Sequence, residues 1–270
     1  MTAEYIKYLT FAKEIALEAG QIMLKYFDSN NGASYKGDRT IVTLADKDIN
    51  TYLISRVKEE FPNHAVDGEE EQFGESDHVW VCDPVDGTAM YARHVPVGVF
   101  SLALVVDGVS QIGVIYDVFT DNMFWAVKGE GAYRNGEKLM VNDYVLEDVR
   151  SFAHYDMMNN LDYNVYDIVK ELGKKINFVC LGSAIRGCSC VATGDFNFTI
   201  FPANKNCDIA AAKVIVEEAG GKVTDLFGNE QRYDREIDGA LVSNGVVHEE
   251  VLEAIRKHLI RVQRGKNEQN

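Results

Sequence analysis

The chain has 270 residues, 46% of them apolar and 26% charged, with a formal net charge of −15. That length buries a sizeable core, as one large or two closely packed domains. The charge argues against gripping a nucleic-acid polymer through a broad basic face, and a phosphate-bearing ligand would be repelled unless cations are held beside it.

Apolar positions recur every three or four residues from 5 to 27, which predicts a helix with one buried face. Residues 30–37 break it. A second helix is expected from Thr43, where Thr43 and Asp46 fit a capping box, to Pro62. Strand-like runs at 99–106, 110–116, 123–127 and 132–134 are separated by tight-turn residues, among them Asp107-Gly108, and Asn135-Gly136 adds a hairpin signal. An antiparallel meander follows.

Beyond residue 145 the pattern alternates, with strands expected at 151–154, 178–181, 196–201 and 240–243. Helices are expected at 161–172, 184–193, 209–219 and 246–262. The division is thus 1–145, helices plus an antiparallel sheet, and 146–270, a layered α/β half. A polar tail from Arg264 is expected to fray.

The N-terminus is mixed in charge, unlike a signal peptide, and the longest apolar stretch (102–106) cannot span a bilayer. Cys82, Cys180, Cys188, Cys190 and Cys207 form no Cys-x-x-Cys pair and no metal-ligand spacing with histidine, so they read as reduced core thiols of a cytoplasmic protein. His64, His78, His94 and His154 read as structural or surface groups, and Trp80 and Trp125 as core or strand-face residues.

Acidic residues at the ends of apolar elements are the candidate chemistry: Asp46, Glu69-Glu70, Asp83/Asp86 and Asp208. Asp83-Pro84-Val85-Asp86-Gly87-Thr88 is either a solvated acidic turn or a turn into a short helix whose backbone N–H groups form an anion site. The spacing of three disfavours the Asp-x-Asp chemistry of haloacid-dehalogenase phosphatases, which needs both carboxylates on one strand face. "VDGEEE" (66–71) is a surface acidic run or part of a site, and Asp46 and Asp208 each suit a helix dipole as well as a ligand role. Convergence would make each like-charged pair about 4 Å apart cost on the order of 4 kcal/mol at an effective dielectric near 20, which calls for hard divalent cations.

"TIVTLADKDIN", "DGEE", "WVCDPVDGT", "GVIYDVFTDNMFWAVKGEGAYRNGEKL", "LGSA" and "CDIAAAKVIVEEAGG" occur in order, and with them the chain resembles the inositol monophosphatase family of Mg²⁺-dependent phosphatases over nearly its whole length. The resemblance implies an α/β/α/β/α sandwich like that of inositol monophosphatase and fructose-1,6-bisphosphatase. It implies two or three Mg²⁺ ions, lithium sensitivity and a homodimer acting on a small phosphorylated metabolite, with no membrane or nucleic-acid partner. Carried over residue by residue, Glu69, Asp83 and the Val85 carbonyl would hold one metal. Asp83, Asp86 and Asp208 would hold a second, and Glu70 would support a further position. Gly87 and Thr88 would cradle phosphate, with the Thr88 hydroxyl paired to Asp46, and Glu69 and Thr88 would position the attacking water.

Ser183-Ala184 matches a substrate-contact position or is a plain helix cap. Tyr155 and Asn204 lie where the second half could meet substrate. Lys36 is expected to approach the site; Lys205 reads as a solvated loop lysine, or as a contact to a second phosphate or an acidic group. The sequence departs from the family at Ala89-Met90-Tyr91, at Cys207 where a Trp is usual, and at Phe201, where inositol-selective members often carry an acid. A 3′-nucleotidase or sugar-bisphosphate phosphatase therefore stays open beside the inositol reading, and beyond the family a catalytically silent Mg²⁺-binding scaffold.

Overall fold

The first apolar periodicity forms helix α1 (Ala3–Phe27) in a computed structural model that describes every residue except 30, 38, 39, 157–162 and 262–270. Six further helices follow among the described residues: α2 (Leu44–Glu60), α3 (Thr88–Tyr91), α4 (Tyr166–Leu172), α5 (Ala184–Ala192), α6 (Ala210–Glu218) and α7 (His248–His258). Thr2 caps α1, its hydroxyl accepting from Tyr5 N at 3.3 Å. The Asp46 carboxylate accepts from Thr43 N at 2.8 Å and from Thr43 Oγ1 at 2.5 Å, so the predicted start of α2 is present.

Both helices cover one face of an eight-stranded sheet. Its spatial order is Glu137–Lys138, Ala132–Arg134, Asn122–Val127, Val109–Asp117, Val99–Val106, His78–Asp86, Ala65–Gly68 and Gln72–Phe73. The predicted meander is there. Two further strands, Ala65–Gly68 and His78–Asp86, run parallel to each other beside it. The Asp-Pro-Val-Asp segment is thus the irregular end of a strand, where a turn was expected. Pro84 has no N–H to give, and the pairing register with Val99–Val106 shifts between Asp83 and Asp86, so the strand continues past it.

Strand alternation divides the core. Trp80, Phe100, Leu102, Leu104, Ile112 and Val114 face α1 and α2, while Val81, Ala103, Val105, Ile115 and Phe124 face α5 and α6. On the far side of α5 and α6 lies a five-stranded sheet, ordered Asn177–Val179, Phe152–Tyr155, Phe198–Phe201, Ala240–Ser243 and Lys222–Thr224. Its outer residues Ala153, Phe198, Ile200 and Leu241 pack beneath α4 and α7. The layers are helix, sheet, helix, sheet, helix, as the sandwich expectation requires.

Several expectations fail locally. The helix expected from 161 begins at Tyr166, because Tyr163–Asn164 pairs instead with Ile260–Arg261. That pairing also ends the last helix at His258, since Leu259 is already extended. Residues 161–162 and the tail from Arg264 lie outside the described residues. Cys82, Cys188 and Cys207 are buried free thiols as expected, but Cys180 is exposed and Cys190 only partly covered.

The eight-stranded sheet approaches α6 closely at Gly113. A Cβ there would lie 2.4 Å from Ala211 O and 2.7 Å from Val214 Cγ1 of α6. Gly113→Ala is expected to destabilise the fold by about 1–3 kcal/mol through forced separation of helix and strand, read as a lower denaturation midpoint with unchanged cooperativity. A variant as stable as the wild type would show that the contact relaxes freely.

Candidate active site

The strand His78–Asp86 ends between the two sheets, and its two aspartates turn to different partners. Asp83 is 2% exposed and accepts from Val85 N at 3.0 Å. Asp86 reaches across to α5, accepting from Ala184 N at 3.3 Å, from Ile185 N at 2.9 Å and from the Ser183 hydroxyl. Ser183 Oγ in turn accepts from Arg186 N at 3.2 Å. Three otherwise unpaired N–H groups at the start of α5 are thereby satisfied, and a negative charge sits where the helix dipole favours it.

Gly87 connects this strand to the four-residue α3. Its φ of +81° is left-handed, and a Cβ would lie 2.9 Å from Gly182 O, so only glycine lets the 182–183 loop come this close. Thr88 Oγ1 lies 2.8 Å from the Val85 carbonyl oxygen and 3.4 Å from Asp46 Oδ1. Asp46 is fully buried. Burial, opposed by its bonds to Thr43, pushes its carboxyl up to about 7.

The Glu69-Glu70 loop is held by Asn50, whose Oδ1 accepts from Glu70 N at 3.2 Å and Glu71 N at 3.3 Å, while its Nδ2 donates to Glu71 O at 3.0 Å. Glu69 Oε1 takes two ammonium groups, Lys205 Nζ at 2.9 Å and Lys36 Nζ at 3.2 Å; Lys36 also pairs with Glu70. Burial pushes Glu69 up, but Lys205 and Lys36 outweigh it and hold the carboxyl below its ordinary range. The expectation of a solvated Lys205 is corrected here: the chain before α6 carries it onto a carboxylate 136 residues earlier.

Asp208 is 5% exposed and accepts from Cys207 Sγ at 3.7 Å, and its carboxylate has an oxygen within 4.8 Å of one of Asp83. Asp208 lies one residue before the N-cap position of α6, which Ile209 occupies without a side-chain cap. Burial and then the charges of Glu69, Asp208 and Asp86 drive Asp83 well above the ordinary carboxylate range. Asp86 is pushed up to about 8 by burial and by Asp208, against the opposing Ser183 bond. These carboxyls resist ionising together without countercharge.

The residues fit a hard cation. Oxygen atoms of Asp83 and Asp208 lie within 4.8 Å of one another and of Cys207 Sγ, and those of Asp46, Glu69 and Glu70 form a second such group. Burial and Asp208 push the Cys207 thiol far up, so it stays protonated and leaves an all-oxygen donor set. Asp86 and the Val85 carbonyl retain acceptor capacity beside the bonds they already accept.

Glu69, Asp83, Asp86, Gly87, Thr88, Ser183 and Asp208 all line one cavity of about 300 Å³. Ala184 meets it only through Asp86, by its backbone N–H. Tyr155 packs on Phe178, and Phe201 is buried in the layer between the sheets. Tyr91, where the sequence departs from the family, donates to Met23 O of α1 at 2.6 Å. A second cavity of about 320 Å³ shares Thr40, Glu69 and Lys205 with the first and is also lined by Lys36, Asn204 and Asn206.

Sequence reasoning missed Asp156, which is 3% exposed, lines the first cavity and follows the strand Phe152–Tyr155. An acid ending an apolar strand is the same signal that marked Asp86. It also missed Asn50, for which a polar residue on the buried face of α2 was the available sign.

A profile of the inositol monophosphatase family matches residues 5–259. The chain is 29% identical to a fructose-1,6-bisphosphatase/inositol-1-monophosphatase of Thermotoga maritima over 252 residues, 92% of this chain and 96% of that one. It is 30% identical to the Nus factor SuhB of Pasteurella multocida, covering 82% of this chain and 85% of that protein. The solved inositol monophosphatase of Anabaena superposes with a TM-score of 0.82 at 28% identity, over 95% of this chain and 98% of that one. The fold and the composition of the cleft define a metal-dependent phosphatase that acts on small phosphorylated substrates. The chain belongs to the inositol monophosphatase family. No described helix is long and apolar enough to cross a membrane.

The raised Asp46 and Asp86 pKa values fix the sign of a pH effect. An acid that holds its proton more tightly when folded adds stability at low pH, and this is lost as pH rises through about 7 to 8. A bound divalent cation offsets that loss. Mg²⁺ is therefore expected to raise the melting temperature more at about pH 8.5 than at about pH 6. Equal shifts at both pH values, by scanning calorimetry against a chelated control, would count against this account.

Proposed function

We propose that this chain is a Mg²⁺-dependent phosphomonoesterase that hydrolyses a small phosphorylated polyol, sugar or related metabolite. The observation that carries the reading is the convergence of Glu69, Asp83, Asp86 and Asp208 on one cavity, with the Thr88 hydroxyl, which also lines it, between the buried Asp46 and the Val85 carbonyl. A cavity near 300 Å³ suits a small metabolite rather than a polymer.

In this reading Glu69, Asp83 and the Val85 carbonyl hold one ion, Asp83, Asp86 and Asp208 a second, and Glu70 supports a third. When bound, the cations supply acidified water and cancel phosphoryl charge. The chain's own groups do the rest. Backbone N–H groups at Gly87 and Thr88 orient the phosphoryl oxygens. Glu69 and Thr88 aim the attacking water, and Asp46, held by Thr43, fixes the Thr88 hydroxyl and stands ready to take its proton.

The Thermotoga relative's name joins a sugar bisphosphate to an inositol monophosphate. Inositol phosphates, sugar bisphosphates and 3′-phosphoadenosine 5′-phosphate therefore form the panel, with phosphate release in Mg²⁺ as the measurement. No release from any member would favour the silent scaffold. Asp208→Asn is expected to cut turnover by more than about 100-fold while raising the melting temperature in chelator, because it removes one of the mutually repelling charges. Undiminished turnover would remove Asp208 from the metal set. Thr88→Ala is expected to lower kcat by about 100-fold or more and Thr88→Ser far less; equal losses in both would show that the hydroxyl does not serve the reaction.

A further inference from the structure

Thr40, Glu69 and Lys205 line both cavities, and Lys36, which lines the second, reaches the same Glu69 carboxylate as Lys205. Both ammoniums approach the same oxygen, Oε1, at 2.9 and 3.2 Å, and the Glu69 side chain is only 14% exposed. That oxygen cannot keep both and accept a divalent cation as well. Two like charges this close, in a partly buried setting, repel with far more than thermal energy.

The two lysines are not equally placed to yield. Lys36 has a second carboxylate in Glu70, which holds it whether or not Glu69 is available. Among the ion pairs of the described residues, Lys205 pairs with Glu69 alone. Its side chain is 32% exposed against 22% for Lys36, and it borders both cavities, so its four-carbon stem has room to turn on either side.

We propose that Lys205 is a tethered counter-cation of the metal centre, holding Glu69 in the metal-free enzyme and giving up that carboxylate when a divalent ion binds. It is a positioning residue, acting through Glu69. The inference rests on the reading of Glu69 as a metal ligand. The exchange has two consequences of opposite sign. Removing the ammonium abolishes a competitor, so the divalent ion binds more tightly. It also leaves a mostly buried carboxylate with Lys36 as its one remaining ammonium partner, so the metal-free protein is less stable. A lysine that merely braced the loop would weaken the fold equally with and without metal.

Calorimetric titration of Mg²⁺ into the chelator-stripped full chain, without substrate, tests this. Lys205→Gln is expected to bind Mg²⁺ at least about tenfold more tightly than the wild type, as loss of a charge-assisted hydrogen bond to the competing ligand implies. Lys205→Met, which keeps the apolar stem, should behave alike, and Lys205→Arg should stay close to the wild type. In thermal melts Lys205→Gln should unfold earlier than the wild type in chelator and together with it in saturating Mg²⁺. Equal or weaker Mg²⁺ affinity in both neutral variants, or a melting deficit that Mg²⁺ leaves in place, would overturn the exchange. A wild-type chain that takes up no Mg²⁺ would instead overturn the metal reading of Glu69, and the exchange with it.

Discussion

Buried like charge is the constraint to which the centre of this molecule answers. Asp46, Asp83, Asp86 and Asp208 are each at most 8% exposed, in surroundings that penalise an ionised carboxyl by several kcal/mol unless something compensates. Each has a different local compensation. Thr43 serves Asp46, the Val85 amide serves Asp83, the first turn of α5 serves Asp86, and the Cys207 thiol serves Asp208. These bonds fix where the oxygens point without cancelling the charge they carry. A protein that needed only stability would not keep such a cluster, because apolar residues of the same volume would do better.

The bonds of Asp86 also join two layers. Asp86 joins the end of one sheet to a helix that lies 97 residues later in the chain and packs against both sheets. Arg186 of α5 repeats the link through its ion pair with Asp117, at the end of the next strand but one in the same sheet. The site therefore sits on a seam that the hydrophobic core alone would not align to hydrogen-bonding precision. Cation binding at the seam would act on the stability of the whole sandwich and not only on a loop, which is why thermal stability reports on it.

The two sides of the cavity are built by different means. Its cluster of buried aspartates uses side chains whose positions are set by strand and helix termini. Elsewhere the cavity is bordered by Met90, Arg93 and Asp156, and Phe201 is withdrawn into the core. Tyr91 is likewise turned inward, anchoring α3 to α1. Departures from the family pattern thus fall into two kinds: Tyr91, Phe201 and Cys207, which are buried, and Ala89 and Met90, which line the cavity.

Periodicity made α1, α2, the meander and the alternating second half legible, because those elements are amphipathic and span several turns or strand pairs. It failed at His78–Asp86, where a strand carries a proline and two buried acids, and at Tyr163–Asn164, where pairing with a distant segment overrides a helical pattern. The acidic motifs marked the candidate residues, but their grouping came from resemblance rather than spacing. By itself the sequence determined the amphipathic elements, the capping box at Thr43 and the acids that end apolar runs, since all of these are local. Tertiary structure alone decided that Asp86 caps α5, that Lys205 rests on Glu69 and that Asp156 joins the cavity. Those contacts depend on which layers stack and how closely, and local backbone preference carries no record of them.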